Sequence, residues 1–145
     1  MKKMIIAAMA SVVVCMSACA EKTQLVKFNE LPQKAQTFIE TYFNAADISF
    51  VKMEKDGLHN DYDVRMTDGT EIDFDHDGSL EQVDCNTKAV PAGIVPEKIT
   101  TYVAEHFAGA FIVKYEIDRR ELKVELNNSL DLEFDKQGNF LRVED

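Results

Sequence analysis

The strongest constraint on this chain is that it states the same pattern twice. Leu31-Pro32-Gln33-Lys34-Ala35-Gln36-Thr37-Phe38-Ile39 matches Val95-Pro96-Glu97-Lys98-Ile99-Thr100-Thr101-Tyr102-Val103 at an offset of 64. Tyr42-Phe43 and His106-Phe107 extend the match. Val51-Lys52-Met53-Glu54 then aligns with Val113-Lys114-Tyr115-Glu116 at offset 62, and Ile72-Asp73-Phe74-Asp75 with Leu132-Glu133-Phe134-Asp135 at offset 60. The offset falls by two, twice, where loops are expected. Self-similarity of this kind restricts the fold to two similar units in series. The first unit is read as residues 21–86 and the second as 87–145.

Each copy has the same periodicities. Pro32 and Pro96 suit the first turn of a helix, where a missing N–H costs nothing. Ala35, Phe38, Ile39, Tyr42 and Phe43 then recur at helical spacing, as do Ile99, Tyr102, Val103, His106 and Phe107. The stripe places His106 at the core or its edge. Period-two alternation follows, the mark of half-buried strands. Val51, Met53, Tyr62, Val64, Met66, Ile72 and Phe74 point one way in copy one. In copy two the set is Val113, Tyr115, Ile117, Leu122, Val124, Leu126, Leu130, Leu132 and Phe134. Asp56-Gly57, Asp68-Gly69, Asp77-Gly78, Asn127-Asn128 and Gln137-Gly138 supply turns. A last short strand in each copy carries Leu80 and Val83, or Phe140 and Val143. The expected class is α+β: two tandem units, each a helix plus a four-stranded antiparallel sheet. A one-sided apolar meander needs a cover, and the helix stripes provide it on that face.

The first twenty residues read as an address. A basic Met1-Lys2-Lys3 precedes an apolar run from Met4 to Met16, the length of a signal-peptide core and too short to span a bilayer as a helix. Ala18-Cys19-Ala20 fits cleavage before Glu21. Met16-Ser17-Ala18-Cys19 fits a lipobox that would lipidate Cys19. Either route exports the chain, to the periplasm or to a lipid anchor on the envelope. Cys85 is then the one cysteine of the exported part, so the fold does not rest on an internal disulfide.

Without Lys2 and Lys3, 14 basic residues face 26 acidic ones, a net charge of −12. Nucleic acid as a partner is disfavoured, because phosphate binding needs a basic footprint. Membrane contact is expected only through a lipid on Cys19. Walker A, G-x-S-x-G and G-x-G-x-x-G are absent, and His59, His76 and His106 have no zinc-ligand spacing. Neither an enzyme nor a cofactor is expected.

Two local signals remain. Asp73-Phe74-Asp75-His76-Asp77-Gly78 has the D-x-D-x-D-G spacing of a calcium loop, with Asp73, Asp75 and Asp77 as oxygen ligands. Its flanks read as strand rather than helix, and copy two keeps the turn but loses its central acids. The balance favours a hairpin turn, with weak Ca²⁺ binding as the alternative function. The second signal is the set of outward positions. Lys52, Glu54, Asp61, Asp63, Arg65, Glu71 and Asp73 in copy one, and Lys114, Glu116, Glu121, Lys123, Glu125, Asp131 and Glu133 in copy two, would form the sheet face away from the helices, either as a solvated face or as a recognition surface. An unidentified envelope protein or peptide is the partner that this acidic face would recognise.

The Leu-Pro entry to a helix ending Tyr42-Phe43, Tyr62-Asp63-Val64, Asp68-Gly69 and Phe74-Asp75-x-x-Gly78 resemble the PepSY-like exported proteins of Bacteroides-type bacteria. Copy two repeats the pattern through Leu122-Lys123-Val124 and Phe134-Asp135-x-x-Gly138. The resemblance implies an architecture similar to beta-lactamase-inhibitor protein, with tandem helix-plus-sheet units whose strands can join in one curved sheet. It implies a non-catalytic binding or inhibitory module, and it carries no catalytic residues to transfer.

Overall fold

The computed structural model describes residues 22–144; the export segment and its Cys19 lie outside the described residues. Among the described residues the chain is α+β, with two α-helices and nine strands in one open antiparallel sheet. The order is β1 (Thr23–Val26), α1 (Gln33–Tyr42), β2 (Ile48–Asp56), β3 (His59–Met66), β4 (Glu71–Phe74), β5 (Leu80–Asp84), α2 (Glu97–His106), β6 (Ile112–Ile117), β7 (Glu121–Leu126), β8 (Asp131–Asp135) and β9 (Phe140–Glu144). Strands lie side by side in chain order from β1 to β9. Each helix therefore connects neighbouring strands, and pairing never leaves the sheet.

One row of paired residues crosses all nine strands: Val26, Val51, Val64, Ile72, Val83, Tyr115, Val124, Leu132 and Val143. From Val51 to Leu132 every member is buried. Residues directly opposite one another share a face, so the whole inner row looks one way. Ala35 and Ile39 of α1 close over its first part with Phe74, and Ile99 and Val103 of α2 over its second part with Phe134. Leu80, Val90 and Ile94 pack against both clusters and join them into one core. The seam between the halves is β5 with β6, where Val83 faces Tyr115 and the Cys85 amide donates to the Val113 carbonyl at 2.9 Å.

The strand register corrects the sequence alignment. Val51 faces Val64, while Tyr115 faces Val124. Val51 therefore corresponds to Tyr115, not to Val113. The offset stays at 64 from the helices through β2 and β6, then drops by four in one step, because pairing runs on from Val51 to Asp56 opposite His59 but from Tyr115 only to Asp118 opposite Glu121, two residues fewer on each strand. The bulges agree with this: a shift between Ile48 and Phe50 in β2 recurs between Ile112 and Lys114 in β6. β1 is a ninth strand that four residues without alternation did not announce. His106 is also corrected. Its ring is exposed, stacked on Tyr102 at 4.0 Å, because the helix ends there and the chain turns away at Phe107.

The turn after β4 docks on the start of α1. Asp75 Oδ1 accepts from the amides of Asp77 (3.0 Å) and Ser79 (2.9 Å), and Asp135 Oδ1 does the same for Gln137 (2.9 Å) and Asn139 (2.8 Å). An aspartate that satisfies two turn amides is a local structural device. Gly78 follows at φ +83°, and a Cβ there would stand 2.8 Å from Pro32 Cβ and 2.9 Å from the Ala35 nitrogen. Gly138, at φ +80°, has more room; its nearest neighbour would be the Lys98 side chain at 3.4 Å. Both glycines meet the same left-handed strain when replaced, and only Gly78 adds a backbone clash. Gly78→Ala is therefore expected to lower stability by about 1–3 kcal/mol more than Gly138→Ala, the usual range for overpacking. Urea unfolding of the two variants measures the difference, and equal losses would contradict the docking of this turn on α1.

Candidate functional site

Covering the inner row with helices leaves the opposite row bare. That row runs Lys52, Asp63, Asp73, Gln82, Glu116, Lys123, Glu133 and Arg142, each paired with the next. A parallel row runs Phe50, Arg65, Glu71, Asp84, Lys114, Glu125, Asp131 and Glu144. Glu54 pairs with Asp61 at the same face. The outward residues expected from alternation thus stand together on one continuous surface.

The two halves of that surface are neutralised differently. Glu133 is 2% exposed although it points away from the helices. Burial disfavours its charge, but a hydrogen bond from Lys123 and the charges of Arg142 and Lys123 outweigh burial and hold its carboxyl below the ordinary value. Lys123 stands 3.4 Å from it, Arg142 is paired with it directly, and Arg142 also reaches Glu121 at 3.2 Å. The second half is therefore an interlocked ion-pair network.

Asp73 holds the corresponding place in the first half and has the opposite fate. Burial, then the negative charges of Asp63, Glu71 and Glu81, push its carboxyl up to about 7; Arg65 opposes them but is itself paired with Glu71. The neighbouring Glu81 carboxyl is also raised, by burial and by Asp61, Asp75 and Asp63. This half presents acids that the protein's own cations do not balance.

It also presents apolar surface. Phe50 is 37% exposed and Leu25 of β1 is 69% exposed. Leu25 faces Lys52, two residues from Phe50 on the same face. Phe50, Lys52, Asp63, Arg65, Glu71 and Asp73 line a depression of about 80 Å³. A second depression of about 150 Å³ lies over Lys114, Glu116, Lys123, Glu125, Asp131 and Glu144. Small-molecule sites usually enclose roughly 300–1,000 Å³; these two are the size of single side chains. Sequence reasoning missed both exposed residues. Alternation counted back from Val51 already placed Phe50 outward, whereas Leu25 had no strand to place it.

Of the calcium-loop acids, Asp75 and Asp77 meet at the Ser79 amide. Asp73 stands on the open face, Asp75 caps the turn, and Asp77 Oδ1 accepts from the Ser79 amide at 2.7 Å while lying 3.8 Å from Lys34. Among the described residues no group of three or more His, Cys, Asp or Glu side chains is arranged to hold a metal ion. Cys85 is buried, and burial pushes its thiol up, the reverse of what a thiolate nucleophile needs.

Residues 60–142 match the family model described as "Putative beta-lactamase-inhibitor-like, PepSY-like". No curated protein matches the chain. Among solved structures, a periplasmic protein of the DUF2874 family from Bacteroides vulgatus, itself described as putative, is 36% identical with a TM-score of 0.81, covering 87% of this chain and 99% of its own. A "putative calcium-regulated periplasmic protein" from Bacteroides thetaiotaomicron is 33% identical with a TM-score of 0.82 over the same shares of the two chains. A third, from Bacteroides vulgatus and described as a putative periplasmic protein of unknown function, is 32% identical with a TM-score of 0.79, covering 85% of this chain and 99% of its own. With the family model spanning more than half the chain and these likenesses spanning most of it, the chain belongs to the PepSY-like family of exported proteins.

Proposed function

We propose that this protein is a non-catalytic envelope module, built as two copies of one helix-plus-sheet unit, that recognises a protein or peptide partner through the open face of its sheet. The observation that carries this reading is the coincidence, on the first half of that face, of unbalanced acids with exposed Phe50 and Leu25. Aromatic anchors give interfaces most of their affinity, while charge steers encounter and sets preference. The partner surface that fits has an apolar contact beside a lysine or arginine. Such a cation would lie against Asp63, Glu71 and Asp73 and favour the ionised form of Asp73. The periplasmic descriptions of the similar structures support a periplasmic or envelope-anchored site of action.

A second reading is weak Ca²⁺ binding in the loop from Asp73 to Asp77, supported by the 33% identical relative described as calcium-regulated. An ion bound by the folded state must raise its melting temperature. Under this reading Ca²⁺ raises the melting temperature of the parent protein, and Asp75→Asn with Asp77→Asn abolishes the rise. A parent protein indifferent to Ca²⁺ removes the reading.

For the recognition face, a photo-crosslinking residue placed at Phe50 in living cells is expected to trap the partner, and one at Glu40, exposed on α1, is not. Asp63→Lys with Glu125→Lys should abolish trapping from Phe50 while leaving the fold intact, as circular dichroism would read, since neither residue is in the core. Trapping from Glu40 alone would move the site to the helices.

Asp73 adds a pH dependence. Its folded-state pKa lies above the unfolded one, so its protonated form contributes stability at low pH, and that contribution is lost as pH rises to about 7. Asp73→Asn cannot ionise. It should melt above the parent protein at pH 8, with the gap closing as pH falls towards about 4, the unfolded value. A gap independent of pH would mean that Asp73 is not held among acids as described.

A further inference from the structure

We propose that His59 and His76 form a two-imidazole site for a divalent transition-metal ion of the Zn²⁺ class at one end of the open face. The two residues stand 17 apart in the chain, and neither has another histidine at close ligand spacing. Folding brings them together: β3 and β4 pair antiparallel through Tyr62 and Phe74, so the start of β3 and the turn after β4 meet at the same end of the sheet. The rings lie 4.4 Å apart between centroids, with 45° between their planes. Both residues are exposed.

The surroundings favour a cation. Asp61 follows on β3, Asp75 precedes His76, and Glu81 of β5 lies within electrostatic reach of Asp61, Asp75 and His76. Imidazole nitrogens select the ion class. Zn²⁺, Cu²⁺ and Ni²⁺ accept nitrogen donors, whereas Ca²⁺ and Mg²⁺ require oxygen. The site is therefore chemically distinct from the calcium reading, and neither depends on the other. Two protein ligands, with water completing the coordination, make a surface site of moderate affinity rather than a resident cofactor, in keeping with the lack of a three-ligand group among the described residues.

The test is a Zn²⁺ titration of the untagged protein, followed through the histidine ring proton signals by NMR and through heat by calorimetry. The His59 and His76 signals should move together, while that of His106, stacked on Tyr102 at the end of α2, stays still. His59→Ala and His76→Ala should each weaken binding by at least about tenfold, as loss of a ligand costs no less than loss of its support. Because both side chains are exposed, each variant is expected to keep the parent melting temperature. The proposal is overturned if the two signals do not respond to Zn²⁺, or if the double alanine variant binds Zn²⁺ as tightly as the parent.

Discussion

The structure depends on one uninterrupted apolar row, from Val51 through Val83 and Tyr115 to Leu132, buried under two helices. Antiparallel strands carry side chains alternately to the two faces, so fixing this row inward fixes every neighbour outward. The seam at Val83 and Tyr115 is where the row could have been broken into two separate cores. It is not broken: β5 pairs directly with β6, and Leu80, Val90 and Ile94 serve both helix-covered clusters. The helices are in turn seated by the aspartate-capped turns after β4 and β8, with Gly78 pressed against Pro32 and Ala35.

The open face follows from the covered one, but its two halves have different physics. Glu133 is enclosed by Lys123 and Arg142, and its charge is satisfied within the protein. Buried carboxylates of this kind are costly unless paired, and the second half has arranged the pairs. Asp73, at the corresponding register position, has acids for neighbours and retains a proton up to about 7. The difference lies in the row itself. Lys123 and Arg142 flank Glu133, whereas Asp63 and Gln82 flank Asp73. Acids left unbalanced beside Phe50 and Leu25 are the features on which the proposed recognition of a partner rests.

Much of this was legible in the residues. The helix stripes, the inward alternation and the outward acids depend on local periodicity, and local periodicity survives folding. What was not legible depends on pairing. A repeat alignment by residue likeness put Val113 opposite Val51, because a hairpin longer by two residues on each strand leaves no mark except in the register. β1 is four residues long and uncharged, and it becomes a strand only by adding to β2. The D-x-D-x-D-G spacing does not by itself separate ion chemistry from a capped turn: Asp75 and Asp77 accept from turn amides, and the contact of Gly78 with α1 is visible only in the fold. The meeting of His59 and His76 is likewise a product of topology, not of spacing.

The central proposal is that a partner in the native envelope covers the open face, and its acidic half above all. Carboxyl footprinting in intact cells and on the purified protein, read by mass spectrometry, tests it most directly. The account predicts that Asp63 and Glu71 are modified less in cells than in the purified protein, while Glu40 and Glu105 on the helices are modified equally in both. Equal modification of Asp63 and Glu71 in the two settings, or protection confined to Glu40 and Glu105, would contradict it.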